Sequence, residues 1–89
     1  MNVAEQFGKN AVRLRKLADL SQDEVGFRAS LHRTEVSQIE RGLRLPRVDT
    51  VAKLAAALEA DPGELFAGIA WQPGAIHHGR FKPDPDDTL

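Results

Sequence analysis

The sequence predicts an all-α fold, a compact bundle of five helices followed by a short C-terminal extension able to form β-strand pairing. Repeated helix-start signatures over residues 2–66 support this reading, each leading into apolar residues at three- and four-residue spacing. After Ala67 the periodicity stops, and AGIAWQPGAIHHGRFKPDPDDTL is too rich in Gly and Pro for a sixth helix.

The first helix opens with Asn2 as cap and Glu5 three residues on, and its expected buried stripe is Val3, Phe7, Ala11, Leu14 and Ala18. It stops near Asp19, which takes a left-handed position less comfortably than Gly. Ser21-Gln22-Asp23-Glu24 is a capping box that starts the second helix, and Val25 continues the apolar face. Gly26 costs roughly 1 kcal/mol of helix stability against Ala, and close packing of the second helix on the third is the expected return. The chain restarts after Ala29-Ser30-Leu31, with His32 at the cap position and Glu35 three residues later; that third helix runs over about residues 33–41. Val36 and Ile39, with Glu40 beside them, face inward, which turns Arg33, Thr34, Ser37 and Gln38 to the opposite side. Gly42 supplies a left-handed stop and Pro46 prevents an immediate restart. A fourth helix over about residues 49–59 buries Val51, Leu54, Ala55 and Leu58. The fifth has Asp61 as cap, Pro62 at its first position and Glu64 to close the box, and Leu65 and Phe66 seal the core.

Residues 20–42 thus read as two short helices joined by a tight turn, a helix-turn-helix, which places one helix in the major groove of DNA. Arg33 and Gln38 can form paired hydrogen bonds to purine edges, the Thr34 methyl suits thymine, and Ser37 completes the candidate base-contact set. The competing reading is a solvated helix face. Glu35 reads first as a cap for its own helix; the alternatives are that it accepts from cytosine or simply repels phosphate. Arg44 and Arg47 flank the third helix and fit adjoining phosphates, unless they only solvate a loop.

LSQDEV, SQIERG and RLPRVDTVAKLAAALEADPGELF together resemble the phage repressor and Cro family, the Xre-like proteins, over about residues 7–66. The resemblance implies a lambda repressor-like five-helix bundle, with the third helix presented to the major groove and dimers binding palindromic operators. It implies that Gln22, at the start of the second helix, turns its amide and the helix N-terminus toward a phosphate, the alternative being an exposed first-turn residue; His32 at the next cap is a further candidate phosphate contact. It also implies that Arg15 and Glu40 form a partly buried ion pair between the first and third helices, the alternative being that Arg15 reaches phosphate. Ser30 stands where the family usually has a turn Gly, Ala29 where a larger apolar residue is usual, and His32 replaces the usual Ser or Thr.

With 89 residues the chain can bury only a modest core, and domains of this size are often dimeric. It has no Cys for a disulfide or a Cys-based zinc site, no apolar run near a membrane span and no basic-then-apolar leader, so a cytoplasmic protein without membrane contact is expected. The formal charge of −1 argues against a nucleic-acid partner only until its distribution is considered. From Arg13 to Arg47 there are eight Lys or Arg against five acids, whereas from Val48 to Leu89 there are three against seven. His77 and His78 point in divergent directions, and His32 is distant in sequence, so no metal site is expected. No phosphate-cradling Gly loop or paired nucleophile and base points to an enzyme, and no cofactor is implied.

Residues 1–66 form the expected DNA-binding domain, 67–82 an extension and 83–89 a disordered acidic tail. In the extension, residues 69–72 and 79–82 can be extended and paired. Ile69, Trp71 and Phe81 are costly to leave in water as a group, so they either join two subunits or fold back on their own bundle. The function expected is a sequence-specific transcriptional regulator of double-stranded DNA, a repressor acting as a homodimer. The alternative is an antitoxin or accessory regulator whose extension binds a partner protein.

Overall fold

In a computed structural model that describes residues 1–83, α1 (Val3–Leu17), α2 (Gln22–Ala29), α3 (Arg33–Glu40), α4 (Val48–Leu58) and α5 (Pro62–Leu65) precede an antiparallel hairpin of β1 (Ile69–Gln72) and β2 (Arg80–Pro83). The helix starts follow local chemistry. The Asn2 side chain accepts from the Glu5 amide at 3.1 Å. The Ser21 hydroxyl accepts from the Glu24 amide at 3.0 Å, and the Glu24 carboxylate accepts in return from the Ser21 amide at 3.1 Å. Asp61 and Glu64 close a second box at the start of α5.

Two helix starts differ from expectation. His32 makes no side-chain cap bond, and Glu35 does not cap its helix, because its carboxylate lies 3.3 Å from the Arg44 guanidinium instead. Helix α4 begins at Val48, one residue early, with Arg47 in the cap position and likewise no cap bond. Helix ends rely on left-handed residues: Asp19 at φ 58°, Ser30 at 56°, Glu59 at 53° and Gly42 at 73°. Only the last of these is the residue type that adopts such angles freely.

Phe7, Leu14, Val25, Val36, Ile39, Leu54, Leu58 and Leu65 meet in one apolar core, with α1 packed on α3 and α2 packed on both α3 and α4. The expected stripe of α1 needs correction at its ends: Val3 is half-buried, and Ala18 is exposed because the helix ends at Leu17 and Ala18 is its C-cap. Phe66 does not seal the core. It is 45% exposed and meets Phe7 edge-on, ring centroids 5.6 Å apart. On α4, Val51 lies at the margin, while Thr50 and Ala57 are buried.

Two residues of α1 that the apolar pattern passes over shape this packing. A methyl group on Gly8 would lie 2.5 Å from the Ile39 carbonyl oxygen and 2.6 Å from that of Glu40, so the last turn of α3 can rest on α1 only where a side chain is missing. Asn10 is buried, and its amide nitrogen donates to the carbonyls of Leu65 and Ala67, both at 2.8 Å. It thereby satisfies acceptors left open at the end of α5 and pins the root of the hairpin.

The hairpin pairs Ile69 with Pro83, Ala70 with Lys82, Trp71 with Phe81 and Gln72 with Arg80. Its second strand begins at Arg80 and takes in Pro83, which therefore belongs to the hairpin and not to the expected tail. The rest of that tail, 84–89, lies outside the described residues. Ile69 packs against the core, and Trp71 and Phe81 stack edge-to-face with centroids 5.0 Å apart. Among the described residues, no helix is long and apolar enough to cross a membrane.

Ser30 carries the cost of a Cβ in left-handed backbone, roughly 1 kcal/mol or more. Ser30→Gly should therefore raise the melting temperature by about 4 °C or more in thermal unfolding followed by circular dichroism. An unchanged or lower value would show that the serine offsets its own strain.

Candidate nucleic-acid interface

The interface is built around a carboxylate. Glu40, at the end of α3, has a side chain only 5% exposed, and it accepts from Arg15 Nε at 2.7 Å, Arg15 Nη2 at 3.1 Å and Gln22 Nε2 at 2.9 Å. Arg15 Nη1 also donates to the Leu20 carbonyl at 3.0 Å. One carboxylate thus joins α1, the turn before α2, the first residue of α2 and the last residue of α3. The hydrogen bond to Glu40 raises the Arg15 guanidinium above its already high value despite the opposing effect of burial. Gln22 consequently arrives at the surface half-buried, with its amide engaged by Glu40.

With Val36 and Ile39 fully buried, the other side of α3 is presented outward: Arg33 and Thr34 are exposed, and Ser37 and Gln38 are half-buried. His32, Thr34, Glu35, Gln38 and Arg44 line one shallow depression, which gathers four of the residues expected to contact DNA around a carboxylate. Arg33 lies to one side, its Nε 3.7 Å from Asp23 at the start of α2. Arg47 lies to the other, held 2.9 Å from Asp49. Desolvation works to raise the Asp49 carboxyl, but the Arg47 charge and the Thr50 amide prevail and hold it below the usual range. The Ser21 amide and hydroxyl lower Glu24 in the same direction.

Lys53 also belongs to this surface. It lines a groove with Glu35, Arg44 and Arg47 between α3, the following loop and the start of α4. The sequence does not single it out, because nothing local shows that this part of α4 lies beside the outward face of α3. Ile69, Trp71 and Phe81 are placed apart from these residues, on the hairpin.

Residues 13–65 match the family model described as helix-turn-helix. The chain is 38% identical over 67 residues to control protein C.BamHI of Bacillus amyloliquefaciens, covering 73% of this chain and 82% of that one. It is 38% identical over 65 residues to an uncharacterized HTH-type transcriptional regulator, y4dJ, of Sinorhizobium fredii, covering 73% and 84%. The crystal structure of the restriction-modification controller protein C.AhdI from Aeromonas hydrophila superposes with a TM-score of 0.69 at 38% identity, over 71% of this chain and 96% of that one. The chain belongs to the helix-turn-helix family, in its Xre-like branch.

Removing one partner of the Arg15–Glu40 pair leaves a buried charge without its counterpart, so Arg15→Ala and Glu40→Ala should each destabilise the fold by about 3–5 kcal/mol in denaturant melts. Losses below about 1 kcal/mol in both would place the pair among ordinary surface ion pairs.

Proposed function

We propose that the chain is a sequence-specific double-stranded DNA-binding transcriptional regulator, a repressor that acts as a homodimer on a palindromic operator with α3 in the major groove. The observation that carries this reading is the outward face of α3, held by its buried apolar side and ending in the depression that gathers His32, Thr34, Gln38 and Arg44. Arg33, Thr34, Ser37 and Gln38 read base edges; Gln22, His32, Arg44 and Arg47 hold phosphates, and Lys53 joins them from α4. The relatives named control protein and restriction-modification controller support a role in governing the genes of such a system. Double-stranded DNA as partner implies a cytoplasmic site of action, and the reading needs no cofactor. Selecting bound duplexes from a random pool tests specificity, palindromy and half-site spacing together; no enrichment would refute it.

Arg33→Ala or Gln38→Ala should weaken binding to the selected duplex by about 1–3 kcal/mol and leave random DNA less affected. Arg44→Ala and Arg47→Ala should weaken both alike and lower the salt slope. Equal losses on both duplexes for the first pair would reassign it to phosphate; an unchanged slope for the second would remove it from the interface.

Two recognition helices on a palindrome must be held about 34 Å apart, which requires contacts outside the helix-turn-helix. We assign those contacts to Trp71 and Phe81; Ile69, expected to join them, packs on its own bundle instead. Trp71 and Phe81 cover each other yet remain 54% and 45% exposed, which leaves apolar surface for a second copy. In sedimentation equilibrium, the Trp71→Ala/Phe81→Ala variant and a chain ending at Gly68 should both dimerise at least tenfold more weakly, about 1.4 kcal/mol or more. Dimers as tight as those of the full chain would move the interface to the apolar surface of Val48, Val51, Pro62 and Phe66, and leave the hairpin for a partner protein.

A further inference from the structure

Three arginines assigned to DNA each carry an acid of the same surface: Arg33 lies 3.7 Å from Asp23, Arg44 3.3 Å from Glu35 and Arg47 2.9 Å from Asp49. Exposed pairs of this kind contribute little to fold stability, so stability gives no strong reason for three of them on one face. Their position has a larger consequence. An arginine already neutralised by a carboxylate releases fewer counterions when it meets a phosphate, and its acid is carried toward the negatively charged backbone.

From this geometry we infer that Asp23, Glu35 and Asp49 are specificity-determining residues that hold back binding to random DNA. The inference rests on the DNA-binding reading above. On a random duplex the arginines gain phosphates alone, and each must leave or share its carboxylate, which then stands unneutralised beside the backbone. On the operator, base-edge bonds from Arg33 and Gln38 fix one register of the duplex, in which the acids stand farther from the phosphates than in the shifting registers of a random duplex, so the cost is smaller there. Glu35 has the strongest effect of the three, because it lies on α3 itself, half-buried in the depression between Thr34, Gln38 and Arg44, where DNA cannot avoid it. The charge balance of the motif, eight basic residues against five acids from Arg13 to Arg47, includes two of the three acids.

The test uses the full chain with Asp23→Asn, Glu35→Gln and Asp49→Asn combined, and with Glu35→Gln alone, on two probes: the duplex enriched from a random pool and a scrambled duplex of equal length. The combined variant should bind the scrambled duplex about tenfold or more tighter at ~50 mM salt, with a salt slope steeper by about two, while the enriched duplex gains about threefold or less. Glu35→Gln alone should show the same direction with a smaller ratio. Glu59→Gln, at the far end of α4, should leave both affinities within about twofold. Equal gains on both duplexes, a comparable effect of Glu59→Gln, or an unchanged ratio would each overturn the inference. So would a loss confined to the enriched duplex, which would make the acids base contacts. If the native chain enriches no duplex at all, the DNA-binding reading itself fails, a result separate from these.

Discussion

The arrangement of the first three helices depends on one buried carboxylate. Glu40 accepts three hydrogen bonds, from both sides of the Arg15 fork and from Gln22, and Arg15 reaches on to the Leu20 carbonyl. A buried pair of this type adds little net stability over an apolar replacement, because desolvation offsets most of the attraction. What it does impose is geometry. A planar guanidinium and a planar carboxylate meet well in few orientations, so α1, the start of α2 and the end of α3 are held in one mutual register. Gly8 makes the same register possible sterically by letting the last turn of α3 rest on the backbone of α1.

The electrostatics of the outer face follow from that register. Helix α3 projects its polar side while the flanking segments bring Asp23, Arg44, Arg47, Asp49 and Lys53 around it. The face is therefore a lattice of both signs and not a uniformly basic patch, consistent with a formal charge of −1 for the whole chain. A surface of this kind attracts DNA weakly at long range and relies on short-range hydrogen bonds for affinity.

The hairpin is tied to the bundle by a different means. Asn10 spends its amide donors on the carbonyls of Leu65 and Ala67, and Ile69 enters the edge of the core, so the extension leaves the domain in a defined direction. An isolated two-stranded ribbon is marginal in water. Here its root is fixed, and the Trp71–Phe81 pair covers part of its apolar surface.

By itself the sequence determined the helices, most of their ends and the inward residues, because caps, boxes and apolar spacing act over a few residues. Asn2, the Ser21–Glu24 and Asp61–Glu64 boxes, Gly42 and the Val36–Ile39 spacing all work within a single turn. Where local signals misled, a longer-range partner had won: Glu35 turned from its own helix end to Arg44, and Pro83 joined a strand through its pairing with Ile69. The close approach at Gly8, the clamp at Asn10, the bond between Gln22 and Glu40, and the position of Lys53 beside Arg44 and Arg47 were decided only by tertiary structure. Each joins residues on different helices, and a hydrogen bond or a steric contact acts over a few ångströms of space regardless of the length of chain between its partners.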